Sequence, residues 1–185
     1  DEDVASINAA LLQAENTKGL QPGLLPTIAL IETARAVDNI SQIVRADTQP
    51  ARLYTVAFGA ADYTLDLGIE ITGEGNELQY ARSRLPIACR AAGLEPPLDT
   101  PFMLDLKAGP GLQADAMRAK QLGFQGKLCI HPNQIEVVNR VFSPQPEEVQ
   151  QAVKIIQAFE EAEAVGQGAI QVDGKFVDYP VVVRA

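Results

Sequence analysis

Apolar residues near the start of the chain fall at Val4, Ile7 and Leu11, the spacing of one helix face. This predicts an amphipathic helix running to about Asn16 and stopped by Gly19. An apolar run over residues 24–31, interrupted only by Pro26 and Thr27, ends at Glu32 and Thr33 and gives way to a polar segment of helical character through Val44. That reads as a strand followed by a helix. The pattern recurs: residues 53–58 read as a strand ended by Gly59, and residues 76–92 as a helix that Pro86 should kink or split. Residues 102–106 and 127–130 read as two more strands, each followed by a helix, over about 113–122 and 134–141. Strict alternation of strand and helix predicts an α/β fold with a parallel sheet.

After Pro144 and Pro146, which suit a helix start, Val149, Ala152, Val153, Ile156 and Phe159 mark a long amphipathic helix. Glu147, Glu148, Glu160, Glu161 and Glu163 form its solvated face. Gly166 and Gly168 break it. Residues 169–185, with Asp173, Gly174, Tyr179 and Pro180, alternate poorly and read as a turn with an extended or short helical appendage.

Composition narrows the function. A chain of 185 residues that is 46% apolar and 21% charged is long enough for a well-buried core, and it is neither disordered nor repetitive. Its 15 basic and 24 acidic residues give a net charge of −9 without any dense Lys/Arg stripe, which argues against nucleic acid as a partner. No run approaches the length of a membrane helix, and Asp1, Glu2 and Asp3 stand where a signal peptide would be basic. The expectation is a soluble, cytoplasmic protein. Cys89 and Cys129, in apolar sequence surroundings, read as buried reduced thiols. With His131 as the single histidine, a multi-histidine metal site is excluded.

Two carboxylates stand out by position. Glu32 closes the run TIALI, and Asp62 comes four residues after LYTVAF. The carboxyl ends of parallel strands form the ligand-binding edge of an α/β sheet, and one strand–helix repeat separates the two acids, so neighbouring strands would bring them together. Without histidine or thiolate nearby, such a pair suits a hard cation such as Mg²⁺, completed by water and substrate oxygens. The other reading is that both acids cap helices. Gly59, Ala60 and Ala61 would let the backbone approach a ligand closely, although a tight turn also favours Gly. Asp105, in a segment continuing to Lys107, Gly109, Pro110 and Gly111, suits helix capping, pairing with a base or substrate contact. His131, directly after KLCI, is either a hydrogen-bonded structural group or a catalyst. Lys127 either meets an anionic ligand or is an exposed lysine at a strand start.

The segments LIETARAVDNISQI, VAFGAADYTLDLG and GKLCIHPNQIEVVNRVFSP resemble the HpcH/HpaI aldolase and citrate lyase beta-subunit family in its CitE-like branch. The tail GQGAIQVDGKFVDYP is similar to the C-terminal extension of the malyl-CoA, citramalyl-CoA and CitE-like lyases. The resemblance implies a (β/α)₈ TIM barrel whose Mg²⁺ is held by Glu32 and Asp62, with Glu32, Gly59 and Ala60 at the substrate. It implies an aspartate, here Asp178, that reaches a neighbouring subunit's active site for acid–base work, with Asp173 as a turn residue. The implied reaction cleaves or forms a 3-hydroxyacyl-CoA such as citryl-CoA, malyl-CoA or citramalyl-CoA, with acetyl-CoA and a 2-oxo acid on the other side. Alternatives are a divalent-metal 2-oxo acid aldolase acting without CoA, or a noncatalytic fragment.

Two departures from the family pattern matter. The loop LDLKAGPG lacks an acid common in relatives near Ala108, and the family's first barrel half would precede residue 1. Four strand–helix units cannot close an eight-stranded barrel, typically about 250 residues long. The expectation is therefore barrel strands five to eight over residues 1–143 and a helical, trans-acting extension over 144–185. An aspartate acting in trans implies a homo-trimer or hexamer, and the family adds other citrate lyase subunits as candidate partners.

Overall fold

The β-branched and aliphatic runs TIALI and LYTVAF form adjacent parallel strands, β1 (Thr27–Ile31) and β2 (Leu53–Phe58), in register from Ile28 opposite Thr55 to Ile31 opposite Phe58. The computed structural model describes residues 2–46, 49–106 and 109–185. The chain divides into two compact units, Asp1–Phe142 and Ser143–Ala185.

In the first unit the parallel sheet continues through β3 (Leu98–Asp99) and β4 (Gly126–Lys127), in the order β1-β2-β3-β4. Helix α1 (Glu2–Lys18) precedes the sheet. Between and after the strands come α2 (Ala34–Asp38), α3 (Ile40–Ile43), α4 (Ala60–Leu67), α5 (Gln79–Ala91), α6 (Pro110–Leu122) and α7 (Ile135–Phe142), with 3₁₀ turns at Asn76–Leu78 and Pro132–Gln134. Strand order follows chain order, with each strand beside the next, unlike a doubly wound sheet, whose order reverses at a switch point. The pleat sends Ile31, Val56 and Phe58 to one face, where they are buried with Val37, Ile40, Leu85 and Cys89. Each such aliphatic or aromatic side chain contributes roughly 1.5–3 kcal/mol on burial. On the opposite face Ile28 and Leu30 of β1 remain 50% and 51% exposed.

Several sequence-based expectations are corrected. The third strand lies at Leu98–Asp99, not 102–106, because Phe102 instead packs with Leu112 and Val138 beneath the helices. The fourth strand is only Gly126–Lys127. Lys127 is buried rather than exposed: its Nζ bonds Asp99 at 2.6 Å and Asp115 at 2.5 Å, and Arg82 bonds the same two carboxylates. Burial pushes the Asp115 carboxyl up, but the Arg82 hydrogen bonds and the Lys127 and Arg82 charges outweigh it and hold it at about 2. Pro86 stays inside α5 without splitting it. Burial of Ala81, Arg82, Leu85, Ala88 and Cys89 on both sides outweighs the missing amide, and Gly123 leaves space for the ring, since a Cβ there would meet Pro86 Cβ at 3.3 Å. Cys89 is buried as expected, whereas Cys129 is exposed, because β4 ends before it. The polar helix expected after β1 breaks at Asn39 into α2 and α3.

A buried ion pair fastens α1. Glu15 and Arg52 meet at 2.5 Å, and the Glu15 carboxylate also accepts from the Gly23 and Leu25 amides. The Arg52 hydrogen bond holds Glu15 at about 2 against the upward push of burial.

In the second unit, α8 (Pro146–Glu163) begins in a reciprocal capping box between Gln145 and Glu148 and is followed by an antiparallel hairpin, β5 (Ala169–Val172) and β6 (Lys175–Asp178), then α9 (Tyr179–Arg184). The expected helical extension thus contains a hairpin. Its two-residue turn is Asp173-Gly174, with φ of 51° and 77°, the positive-φ pair that a tight hairpin demands. Phe159, Val172 and Val177 form the unit's core, and the Glu side chains of α8 are exposed as expected. No helix among the described residues is long and apolar enough to cross a membrane.

Candidate metal centre at the carboxyl edge of the sheet

Both strands of the β1–β2 pair deliver an acid at their carboxyl ends. Glu32 directly follows β1, and Asp62 lies in the first turn of α4, which starts two residues after β2 ends. Neither acid caps a helix. Thr33 is the N-cap of α2, its hydroxyl accepting from the Ala36 amide at 3.1 Å, and Gly59 occupies the N-cap position of α4 with no side chain to offer. Asp62 is exposed, and its negative charge lies favourably at the positive end of α4.

Gly59 determines how closely these segments meet. Its φ of −105° is open to any residue, so turn geometry does not require glycine there. Contact does: a Cβ at 59 would lie 2.6 Å from Glu32 Cβ and 3.0 Å from Glu32 Oε2. The Gly59 amide donates to Ile31 O at 2.9 Å, drawing the end of β1 against the β2–α4 turn. The Ala60 side chain is fully buried, and its amide donates to Thr100 Oγ1 at 3.1 Å. Thr100 thereby supplies the side-chain acceptor that Gly59 lacks, at the amide one residue on.

Burial raises the Glu32 carboxyl above its usual range, and the neighbouring Asp62 adds to this by its like charge and by a side-chain hydrogen bond. Neighbouring ionised carboxylates repel, and a cation between them removes that cost. Glu32 is half-buried and Asp62 exposed, which leaves one side of the pair open to water and to ligand oxygens. Hard oxygen donors, few in number and open to further ligands, fit Mg²⁺, which keeps several waters and takes one or two protein carboxylates. Among the described residues no group of three or more His, Cys, Asp or Glu gathers as a metal site. Glu32 and Asp62 are the residues that would hold the ion.

The other candidates have different places. His131 Nδ1 accepts from the Asn133 amide at 3.2 Å and caps the 3₁₀ turn, the structural role. Buried Gln134 braces the same turn, accepting from the Ile130 amide at 3.1 Å and donating to Phe102 O at 2.8 Å. Lys127 is consumed by Asp99 and Asp115 and is not free to meet an anion. Asp105 lies exposed in an irregular segment, and positions 107 and 108 fall outside the described residues. In the second unit Asp178 is the N-cap of α9, Oδ1 accepting from the Val181 amide at 3.4 Å, and Asp173 holds the hairpin turn, bonded to Lys154 and Gln151. Two residues near the site escaped sequence reasoning. Asp66, whose carboxylate accepts from the Ala34 amide, was signalled only by its i+4 spacing from Asp62; Thr100 had no signal at all.

The chain is similar over its full length to the citrate lyase subunit beta of Haemophilus influenzae, 36% identical over 184 residues and spanning 62% of that protein. It is 32% identical to the human mitochondrial citramalyl-CoA lyase, over 85% of this chain and 47% of the relative. Among solved structures, the CitE protein of Mycobacterium tuberculosis in complex with magnesium, acetoacetate and coenzyme A superposes with a TM-score of 0.71 at 31% identity, over 85% of this chain and 57% of that one. The chain thus spans about half to three-fifths of the length of these relatives. The HpcH/HpaI aldolase/citrate lyase family matches residues 1–132, a stretch that contains Glu32, Gly59 and Asp62, and the chain belongs to that family.

Proposed function

We propose that this chain provides the metal-binding wall of a Mg²⁺-dependent carbon–carbon lyase that cleaves or forms a 3-hydroxyacyl-CoA thioester, with acetyl-CoA and a 2-oxo acid as the other partners in the equilibrium. The observation that carries the reading is the Glu32 carboxylate beside Asp62 at the strand ends, with Glu32 packed so closely over Gly59 that a Cβ there would lie 2.6 Å from its own. The names of the relatives, citrate lyase subunit beta and citramalyl-CoA lyase, and the magnesium and coenzyme A bound to the CitE protein support it. Glu32 and Asp62 hold the ion, and Gly59 lets the β2–α4 turn pack against Glu32 at the substrate. When bound, Mg²⁺ supplies a Lewis acid that stabilises charge on the substrate's hydroxyl or oxo oxygen. The sequential order β1-β2-β3-β4 and the half-exposed Ile28 and Leu30 support the reading of residues 1–143 as strands five to eight of a (β/α)₈ barrel.

Asp178, in the extension of residues 144–185, is the acid–base group, delivered to a neighbouring subunit of a homo-trimer or hexamer. In that role it exchanges its cap bond to Val181 for a proton moved at the reacting carbon or oxygen. The test is turnover of citryl-CoA, malyl-CoA and citramalyl-CoA by the full gene product, with free pyruvate and aldehydes as the arm without CoA. Cleavage of a CoA thioester that disappears in Glu32→Ala plus Asp62→Ala is the expected result. Unchanged turnover in the double variant overturns the assignment.

A further inference from the structure

Asp66 lies one helical turn beyond Asp62 on α4, at the i+4 position of the same face. Its Oδ2 accepts a hydrogen bond from the Ala34 amide at 2.8 Å. Ala34 is the first residue of α2 and stands two positions after Glu32. Opening amides of a helix have no partner within the helix and take one from elsewhere. In α2 the Ala36 amide is served locally by Thr33, whereas the Ala34 amide is served from another element, by Asp66. On the other side of Glu32, Ile31 O accepts from the Gly59 amide at 2.9 Å. The backbone carrying Glu32 is therefore gripped before and after the residue by the β2–α4 segment, which also carries Asp62.

We infer that Asp66 is a positioning residue of the metal centre: by holding the Ala34 amide it fixes the Glu32 backbone at the separation from Asp62 that one divalent cation requires. The inference rests on reading Glu32 and Asp62 as metal ligands. Asp66 does not act as a third ligand, since among the described residues the acids do not gather into a set of three. Its contribution runs through a hydrogen bond, and groups that orient metal ligands in this way typically change metal affinity 10- to 100-fold on removal.

The experiment is calorimetric titration of the full gene product with MgCl₂ and with MnCl₂ alone, without substrate, on the wild type, Glu32→Gln, Asp66→Ala and Asp66→Asn. Asparagine keeps an acceptor oxygen for the Ala34 amide and drops the charge. The expected pattern is loss of binding in Glu32→Gln, affinity about 10-fold or more weaker in Asp66→Ala, and affinity near the wild-type value in Asp66→Asn. Wild-type affinity in Asp66→Ala overturns the inference while leaving the metal reading intact. Equal weakening in Asp66→Ala and Asp66→Asn also overturns it, because charge rather than the hydrogen bond would then be the cause. Binding in Glu32→Gln as tight as in the wild type removes the metal reading, and this inference with it.

Discussion

At Gly59 one missing methyl group decides how closely the β2–α4 turn approaches Glu32. Introducing Ala there places a Cβ 2.6 Å from Glu32 Cβ, a distance that forces the Glu32 backbone away from β2. Overpacking of this kind costs about 1–3 kcal/mol. Gly59→Ala is therefore expected to lower the unfolding free energy from denaturant titration by that amount and to weaken Mg²⁺ binding, both measurable on the same preparation. Sequence position alone brought out Glu32 and Asp62, because strand ends in parallel α/β proteins share an edge. The reason for Gly59 was not legible there: a glycine demanded by φ and one demanded by contact look the same in a sequence, and only the φ of −105° separates them. Exposure of Cys129 was hidden for a similar reason, since an apolar neighbourhood in sequence says nothing about where a strand stops.

The shortest strands are held by charge where the longest are held by apolar packing. β1 and β2 follow their hydrophobic runs, and β2 forms over the residues its pattern predicts. β3 and β4 contain two residues each and include Asp99 and Lys127, which are buried against Arg82 of α5 and Asp115 of α6. Hydrophobic periodicity cannot find strands whose inward positions are charged, and so it assigned the third strand to the apolar stretch around Phe102. Breaking such a buried network by removing one partner costs about 3–5 kcal/mol, because a charge is left uncompensated. Lys127→Met is expected to lose stability on that scale in thermal or chemical unfolding. A variant that unfolds like the wild type would mean that Lys127 is not part of the packing.

The network also sets a pH dependence. Asp115 has a folded-state pKa of about 2 against an ordinary 3.8, so its contribution is fully present above the ordinary value and is lost as pH falls toward 2. Unfolding free energy measured from pH 5 down to pH 2 should fall by on the order of 2 kcal/mol from this group. Asp115→Asn should flatten that part of the slope.

For the molecule as a whole, the sheet order and the apolar residues exposed on β1 set the terms of the proposal. If the substrate is an anionic thioester, a chain with net charge −9 needs cations to meet it, and the buried Arg82 and Lys127 are already occupied by carboxylates. On the proposed reading the remaining barrel strands and a neighbouring subunit meet both needs. Asp178→Asn should then reduce turnover by about 10²–10⁴-fold, the usual size of an acid–base contribution, with Mg²⁺ affinity unchanged. Mixing Asp178→Asn subunits with Glu32→Ala subunits should restore part of the activity if the aspartate acts across a subunit boundary, and none if it acts within its own. The tail showed least from sequence, because its fold rests on a two-residue hairpin turn and a small core of Phe159, Val172 and Val177 rather than on a repeated pattern.

On the proposed reading Glu32 and Asp62 together hold one divalent cation. Crystals of the gene product soaked in MnCl₂ test it directly through the anomalous signal of the ion. A single peak bonded to carboxylate oxygens of both residues at about 2.1 Å, the reach of a small hard cation, is the expected result. An empty position between the two acids, or an ion held without either of them, would contradict it.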